Sequence, residues 1–196
     1  MEVSNDVQDQ GTENRERIKR ELWPDEDAWT GADDKGWFRA PRTLPLVLEL
    51  LASKAISGKK DPTRVYIELL ARMIDNGIVE MTNEGEHAYH AGYSGSRGIR
   101  SWRERMKVLE DNGFIKSQLI GGQYKCVLIL HPTTVVQQLR HSTRLPDGWL
   151  EAYRLRQIET KEASHDERGA RRIGKIVDIQ DVKSAAEVAK KRTGAK

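Results

Sequence analysis

The stretch that decides the fold is residues 83–130, NEGEHAYHAGYSGSRGIRSWRERMKVLEDNGFIKSQLIGGQYKCVLIL. Asn83 and Glu86 have the three-residue spacing of a capping-box-like start, which predicts a short helix that ends at Gly92. The residues after this glycine predict a second helix, from Ser96 to about Asp111. We therefore expect two helices joined by a glycine-containing turn.

Two β-rich runs follow the second helix. Asn112-Gly113 ends that helix, and Gly121-Gly122 separates the run 114–120 from the run 123–130. Two such runs around a Gly-Gly pair are a strong local signal for a β-hairpin with a tight turn. The hairpin is therefore expected directly after the helix pair.

The second helix has an apolar face and a basic face. Its apolar residues lie 3, 4 and 3 positions apart, which places them on one buried stripe: Ile99, Trp102, Met106 and Leu109. At 3.6 residues per turn, four charged residues lie opposite that stripe: Arg97, Arg100, Glu104 and Lys107. Arg103 and Arg105 fall on the flanks. The basic face is therefore expected to point away from the core.

Two helices and a short strand are predicted upstream. Thr43 has the residue type and position of a cap for the first helix, which ends near Gly58. Asp61 caps the second, with a proline at its first helical position, and this helix ends near Gly77. The strand is Ile78–Met81.

Two more helices are predicted downstream. His131-Pro132 begins the first, which continues to about Arg140, and Pro146-Asp147 begins the second. The second has a usable apolar face of four residues: Trp149, Leu150, Tyr153 and Ile158.

Charge is spread unevenly along the chain. Residues 1–34 carry 11 acids and 4 bases, so a segment of net charge −7 precedes a remainder of +10. An acidic arm followed by a basic body favours a polyanionic partner, with the arm as a competitor for the same surface.

Cysteine content and hydropathy bear on the compartment. The single cysteine, Cys126, excludes an intramolecular disulfide and a cysteine-based zinc site, and we expect it to be a small buried residue. No apolar stretch approaches the roughly 20 residues that cross a bilayer. The first residues, MEVSND, lack the basic and apolar regions of a signal peptide. A reducing cytoplasm is expected, with no membrane association.

Ala88, Gly92 and Ser94 match the A-x-x-x-G-x-S core of helix-turn-helix proteins, in which a small alanine and a left-handed glycine let two helices pack closely. Ile99 takes the usual apolar position of the second helix if the turn contains one extra residue. Together with the L-E-x-x-G-F-I end of that helix and the Gly-Gly hairpin, residues 61–130 resemble the winged helix-turn-helix domains of bacterial transcription regulators.

The resemblance implies a fold that is mainly α with a small β-hairpin. Residues 1–34 are expected to be an acidic disordered arm with a transient helix over Glu13–Leu22. Residues 35–130 would form the winged helix-turn-helix domain with an extra N-terminal helix. Residues 131–163 would cover its core or dimerise it, and residues 164–196 would be a basic mobile tail.

The resemblance also implies double-stranded DNA as the partner, bound by the second helix and the hairpin. The expected contacts are with phosphates and with base edges. The predicted DNA-binding residues are Ser94, Ser96, Arg97, Arg100, Ser101, Arg103, Glu104, Lys107, Lys116, Gln123 and Lys125.

Two alternatives to transcription regulation stay open. Plasmid or phage replication and partition proteins use the same module, so the fold alone does not decide the role. In the other alternative, the winged helix is a protein-interaction module, and the acidic arm with Trp23 and Trp29 recruits a protein partner.

Catalytic and metal-site patterns are absent from the sequence. The chain has no P-loop, dinucleotide-binding or nucleophile-elbow motif, and its acids form no recognisable catalytic constellation. His87 and His90 have a spacing that metal ligands can have on a helix, but no third ligand is near them. We expect neither an enzyme nor a bound metal or cofactor.

Overall fold

The computed structural model describes six ranges of the chain: residues 3–22, 24–25, 36, 38–73, 76–143 and 145–162. The chain divides into two units, residues 1–37 and residues 38–196. Trp23, Trp29 and the predicted basic tail lie outside the described residues.

The first unit contains one helix, α1 (Val3–Leu22), of 20 residues. It is longer than the transient helix expected over Glu13–Leu22, and it occupies part of the arm for which disorder was predicted. The side chains described from residue 13 onward are exposed, and Arg17 pairs with Glu21 one turn later at 3.0 Å. Such i,i+4 pairs, and the Glu, Arg and Lys residues of its second half, favour the helical conformation.

The second unit is mainly helical with one small antiparallel sheet, as the sequence predicts. Its described elements follow in this order: α2 (Leu44–Ala52), α3 (Lys54–Ser57), α4 (Thr63–Arg72), β1 (Ile78–Glu80), α5 (Glu84–His90), α6 (Gly98–Asp111), β2 (Ile115–Ile120), β3 (Gln123–Ile129), α7 (Pro132–Ser142) and α8 (Trp149–Thr160). Within the described ranges, none of the helices combines the length and the apolar character needed to cross a bilayer.

The three strands lie in the order β1-β3-β2. Gly121 and Gly122 join β2 to β3 with φ angles of +60° and +74°, in the left-handed region that a two-residue hairpin turn requires. This confirms the predicted hairpin. β1 pairs with the edge of β3 that β2 leaves open, with Val79 opposite Val127. The sequence predicts this strand without a pairing partner, and in the structure it completes the sheet.

The core is built around α6. Trp102, Met106 and Leu109 are fully buried, and the Trp102 ring lies edge-on to the Tyr124 ring of β3, with 5.5 Å between centroids. α4 adds an apolar face with four buried side chains: Val65, Tyr66, Leu69 and Leu70.

The last helix covers this core from the side of α2. The Trp149 indole N–H donates a hydrogen bond to the Leu46 carbonyl at 2.9 Å, and the Tyr153 ring stacks on Trp149 with 5.1 Å between centroids. The hydroxyl of Thr43 donates to the carboxylate of Glu162 at 3.0 Å. The described helices α7 and α8 therefore both contribute buried side chains to the core.

Four local predictions need correction. The first upstream helix is two helices, because the chain becomes extended at Ser53, and Thr43 makes no side-chain cap bond. Ile158 is exposed, since it lies nine positions after Trp149 and hence half a turn round the helix. Cys126 is half-buried, because it precedes the buried Val127 and so faces the opposite side of the sheet.

Candidate nucleic-acid interface

The turn between α5 and α6 fixes where α6 begins. Gly92 and Gly95 have φ angles of +83° and +77°, and the Gly98 N–H donates to the Gly95 carbonyl at 3.0 Å. α6 therefore begins at Gly98, two residues later than predicted. Ser96 and Arg97 lie in the turn and at the N-cap rather than within the helix.

At Gly98 the backbone of α6 comes very close to the backbone of this turn. A Cβ atom at this position would lie 2.6 Å from the carbonyl oxygen of Tyr93, so the backbones could not keep their spacing. The residue is buried, and it occupies the place on the inner face that the sequence assigned to Ile99. Only glycine fits this approach without a backbone shift.

Gly98→Ala is expected to lower the free energy of unfolding by about 1–3 kcal/mol, because it overpacks the turn. Helix propensity alone predicts the opposite, a gain of about 1 kcal/mol when alanine replaces glycine in a helix. Urea unfolding followed by circular dichroism measures the difference. Unchanged or raised stability would show that the turn adapts to the methyl group.

Ile99 is not part of the buried stripe. Its exposed fraction is 43%, and its Cδ1 atom would lie 3.7 Å from a Cβ atom at Gly85. Gly85 of α5 thus lies beside Ile99 but has no side chain with which to cover it. The predicted stripe is right for its other three members and wrong for this one.

The outer face of α6 carries two of the predicted DNA-binding residues, Arg100 and Lys107. The Arg100 side chain is 82% exposed, and Lys107 is also well exposed. Each pairs with an acid one turn later, Arg100 with Glu104 at 3.4 Å and Lys107 with Asp111 at 3.0 Å. Exposed pairs of this kind are worth a few tenths of a kcal/mol, so a phosphate or base can replace the acid.

The start of the outer face is also open. Arg97 is exposed, and no hydrogen bond or ion pair holds its guanidinium group among the residues that the structure describes. Ser94 and Ser96 are exposed in the turn, and Ser101 is half-buried. The short side chains leave the turn backbone accessible beside Arg97.

Lys60 also lies beside this face, and the sequence analysis did not predict it as a contact residue. Its ammonium group lies 3.5 Å from the Glu104 carboxylate, and its positive charge is the main cause that lowers the pKa of Glu104. Arg100 hydrogen-bonds the other oxygen of the same carboxylate. The pair Lys59-Lys60, directly before the Asp61 helix cap, is the signal that could have indicated a basic residue here.

Arg103 is placed differently from the other predicted contacts. Its guanidinium Nε donates to the Glu84 carboxylate at 2.8 Å, and the second oxygen of that carboxylate accepts from the Tyr124 backbone N–H at 2.8 Å. Glu84 is 8% exposed and lies at the start of α5. This carboxylate therefore joins α5, α6 and β3.

Arg105 is also used inside the fold. Its guanidinium group lies over the Tyr93 ring, 4.6 Å from the centroid, and donates to the carbonyls of Ser101 and Asp61 at 2.8 and 3.1 Å. The cation holds the turn against the flank of α6. Of the basic residues on α6, Arg103 and Arg105 thus stabilise the helix position, and Arg100 and Lys107 face outward.

The hairpin residues form a separate group. Lys116 and Gln123 are exposed, and Lys125 is half-buried with its ammonium group 3.5 Å from the Gln123 side-chain oxygen. Gln118 pairs with Cys126 and Leu119 with Tyr124, so Lys125 is the extra residue of a β-bulge, which redirects its side chain.

One side-chain hydrogen bond links α6 to the hairpin. The hydroxyl of Ser117 donates to the Glu110 carboxylate at 2.6 Å. Within the described part of the chain, no hydrogen bond or ion pair joins Lys116, Gln123 or Lys125 to the outer face of α6.

The two histidines of α5 occupy different surroundings. His87 is buried, with its Nδ1 atom 3.0 Å from the Glu68 carboxylate. His90 is exposed, and its Nδ1 atom lies 2.6 Å from an Arg72 guanidinium nitrogen. Among the described residues, no group of three or more histidine, cysteine or acidic side chains is arranged to hold a metal ion.

Comparison of the chain with protein-family models, with curated proteins and with solved structures gave no match.

Proposed function

We propose that the chain is a winged helix-turn-helix protein that binds double-stranded DNA in a sequence-specific way and regulates transcription. α6 is the element that enters the major groove, and the hairpin β2-β3 is the wing. The chain acts through binding rather than catalysis, without a metal or cofactor, in the cytoplasm.

The order of the elements supports this proposal. A helix (α4), a short strand (β1), a helix pair (α5 and α6) and a hairpin follow one another, and the β1-β3-β2 sheet closes the unit. The resemblance of residues 61–130 to winged helix-turn-helix domains predicts a glycine turn between two packed helices and a hairpin after them. Gly92 has the left-handed conformation that such a turn requires.

The observation that carries the proposal is the two-sided character of α6. One side supplies Trp102, Met106 and Leu109, which are fully buried. The other side presents Arg100, whose side chain is 82% exposed and held by a single i,i+4 pair. A recognition helix needs a rigid inner face and long donors on its outer face, because arginine reads guanine through two hydrogen bonds.

In this proposal the predicted contacts, together with Lys60, divide into three groups. Arg97, Arg100, Ser101 and Glu104 face base edges, with Glu104 orienting Arg100. Lys60, Lys107, Lys116, Gln123 and Lys125, together with Ser94 and Ser96, face the phosphates. Arg103 is a positioning residue, because its guanidinium group is bound to Glu84.

Salt dependence tests whether the polyanion is bound through the wing. The affinity for DNA should fall steeply as salt rises, and Lys116→Ala/Lys125→Ala should reduce the magnitude of the log–log slope by about 2, because each phosphate contact contributes about 0.9. Fluorescence anisotropy with a labelled duplex measures both. The control, Arg156→Ala/Lys161→Ala, removes two exposed cations from α8 and its C-cap, which the proposal leaves outside the DNA interface.

An unchanged slope in the wing variant would remove the hairpin from the interface. DNA binding that is absent at low salt would favour the alternative of a protein-interaction module. Selection of bound fragments from genomic DNA by the purified protein decides between the two DNA roles. Promoter fragments indicate transcription regulation, and repeated sites near an origin indicate replication or partition.

A further inference from the structure

The outer face of α8 exposes two large apolar side chains. Leu155 is 55% exposed and Ile158 is 74% exposed, whereas Trp149 and Tyr153 on the inner face are buried. Adjacent exposed apolar side chains on a helix are a common feature of surfaces that associate. α8 thus has apolar side chains on two sides. α2 covers the side with Trp149 and Tyr153, and the side with Leu155 and Ile158 is exposed.

A groove runs beside this apolar face. It has a volume of about 720 Å³ and lies between α8, the end of α7 and the segment that joins them. Its lining includes five apolar side chains and the charged residues Arg140 and Asp147: Leu145, Pro146, Leu150, Leu155 and Ile158. The same surface therefore carries two exposed apolar side chains, Leu155 and Ile158, and a groove large enough to hold such side chains from another molecule.

Charges on this face are arranged in a self-complementary way. Glu151, Arg154, Leu155 and Ile158 lie at intervals of 3, 4 and 7 residues, so they share one face of the helix, and all four are exposed. If two such helices lie antiparallel about a two-fold axis between Ala152 and Tyr153, Glu151 lies opposite the partner's Arg154.

We propose that this face of α8 is the interface at which a second copy of the chain packs to form a two-fold symmetric dimer. In this register Leu155 lies opposite the partner's Leu150. Ile158 lies opposite the partner's position 147, next to Leu145 and Pro146 of the partner's groove. Both copies contribute the same patch, as a two-fold interface requires.

A second copy explains the pattern better than an unrelated partner does. The face holds one acid and one base at positions that exchange across the axis, so each copy neutralises the other. Two ion pairs then lie beside the two-fold axis, and the four apolar side chains that the dimer covers lie on either side of them. The interface is on α8 and does not involve α6 or the hairpin, so its failure and the failure of DNA binding can be told apart.

Charge reversal provides the test, with analytical ultracentrifugation of the full-length chain as the measurement. Glu151→Arg places two arginines opposite each other, and Arg154→Glu places two glutamates opposite each other. Each single variant is expected to raise the dimer dissociation constant by at least about tenfold, since like charges across an interface are repulsive. The double variant, with both reversals, restores the pairing and is expected to recover the dimer.

Glu159→Arg is the matched control, because Glu159 is also exposed on α8 but lies one residue beyond Ile158 and off the shared face. Leu155→Glu should produce a monomer with unchanged circular dichroism. A wild-type chain that is monomeric at every concentration overturns the proposal. Single reversals that leave the dimer intact, or a double variant that stays monomeric, also overturn it.

Discussion

Replacing Glu84 by alanine is expected to lower the free energy of unfolding by about 3 kcal/mol. The loss has two parts. The buried Tyr124 backbone N–H is left without its acceptor, which costs about 1–3 kcal/mol, and the charge-assisted bonds from Arg103 are lost. Breaking a fully buried pair costs about 3–5 kcal/mol, and Arg103 is half-exposed, so the lower end of that range applies.

Glu86→Ala is the matched control for this variant. Glu86 lies on the same helix, but its carboxylate is well exposed and pairs with Arg72 at the surface. Removal of such a pair is expected to cost less than about 1 kcal/mol. Glu84→Gln should fall between the two, because its amide oxygen still accepts from Tyr124 but no longer carries the charge that Arg103 requires.

Urea unfolding of the three variants beside the wild type measures these differences. Equal losses for Glu84→Ala and Glu86→Ala would show that the bridge from α5 to α6 and β3 contributes no more than a surface pair. In that case α6 would owe its orientation to apolar packing alone. A larger loss of stability for Glu84→Ala than for Glu86→Ala would instead show that the Glu84 carboxylate helps to hold α6 in its orientation.

Sequence patterning predicts most of α6 and fails at its first turn. Trp102, Met106 and Leu109 repeat at helical spacing within one continuous helix, so local periodicity is enough to find them. The start of the helix depends on a close approach between Gly98 and the Tyr93 carbonyl, which is a contact between two segments. A pattern that counts apolar residues assigns this place to Ile99, because glycine contributes no hydrophobic signal.

The ion pairs of α6 could not be predicted for a similar reason. Arg103 and Arg100 look alike in the sequence, since both are arginines close to the basic face. Their roles separate only because Glu84, from another helix, lies beside Arg103, while Lys60 lies beside Glu104. Which cations remain available to a ligand is therefore decided by tertiary packing, and the helical period gives only their direction.

Replacing Arg97 and Arg100 together by alanine is expected to weaken binding to the preferred DNA site by about 2–6 kcal/mol. Each arginine that reads a guanine through two hydrogen bonds discriminates by about 1–3 kcal/mol, and the two effects add if the contacts are independent. Both side chains are exposed, and neither holds a buried acid, so the fold should tolerate the change.

Comparison of two duplexes separates base recognition from charge. Competition binding is measured on the selected site and on a scrambled site, at one salt concentration. Loss of a phosphate contact weakens both duplexes by a similar factor, whereas loss of a base contact weakens the selected site far more. Arg156→Ala, which removes an arginine from α8, is the control for overall charge.

An equal loss on both duplexes would reassign Arg97 and Arg100 to the phosphates, and it would leave the choice of DNA sequence to the hairpin or to DNA shape. No loss on either duplex would exclude the outer face of α6 from the interface. The Glu84 variants make this second outcome interpretable. They test whether α6 is held in place, so a stable α6 that tolerates the double change cannot be the element that reads DNA.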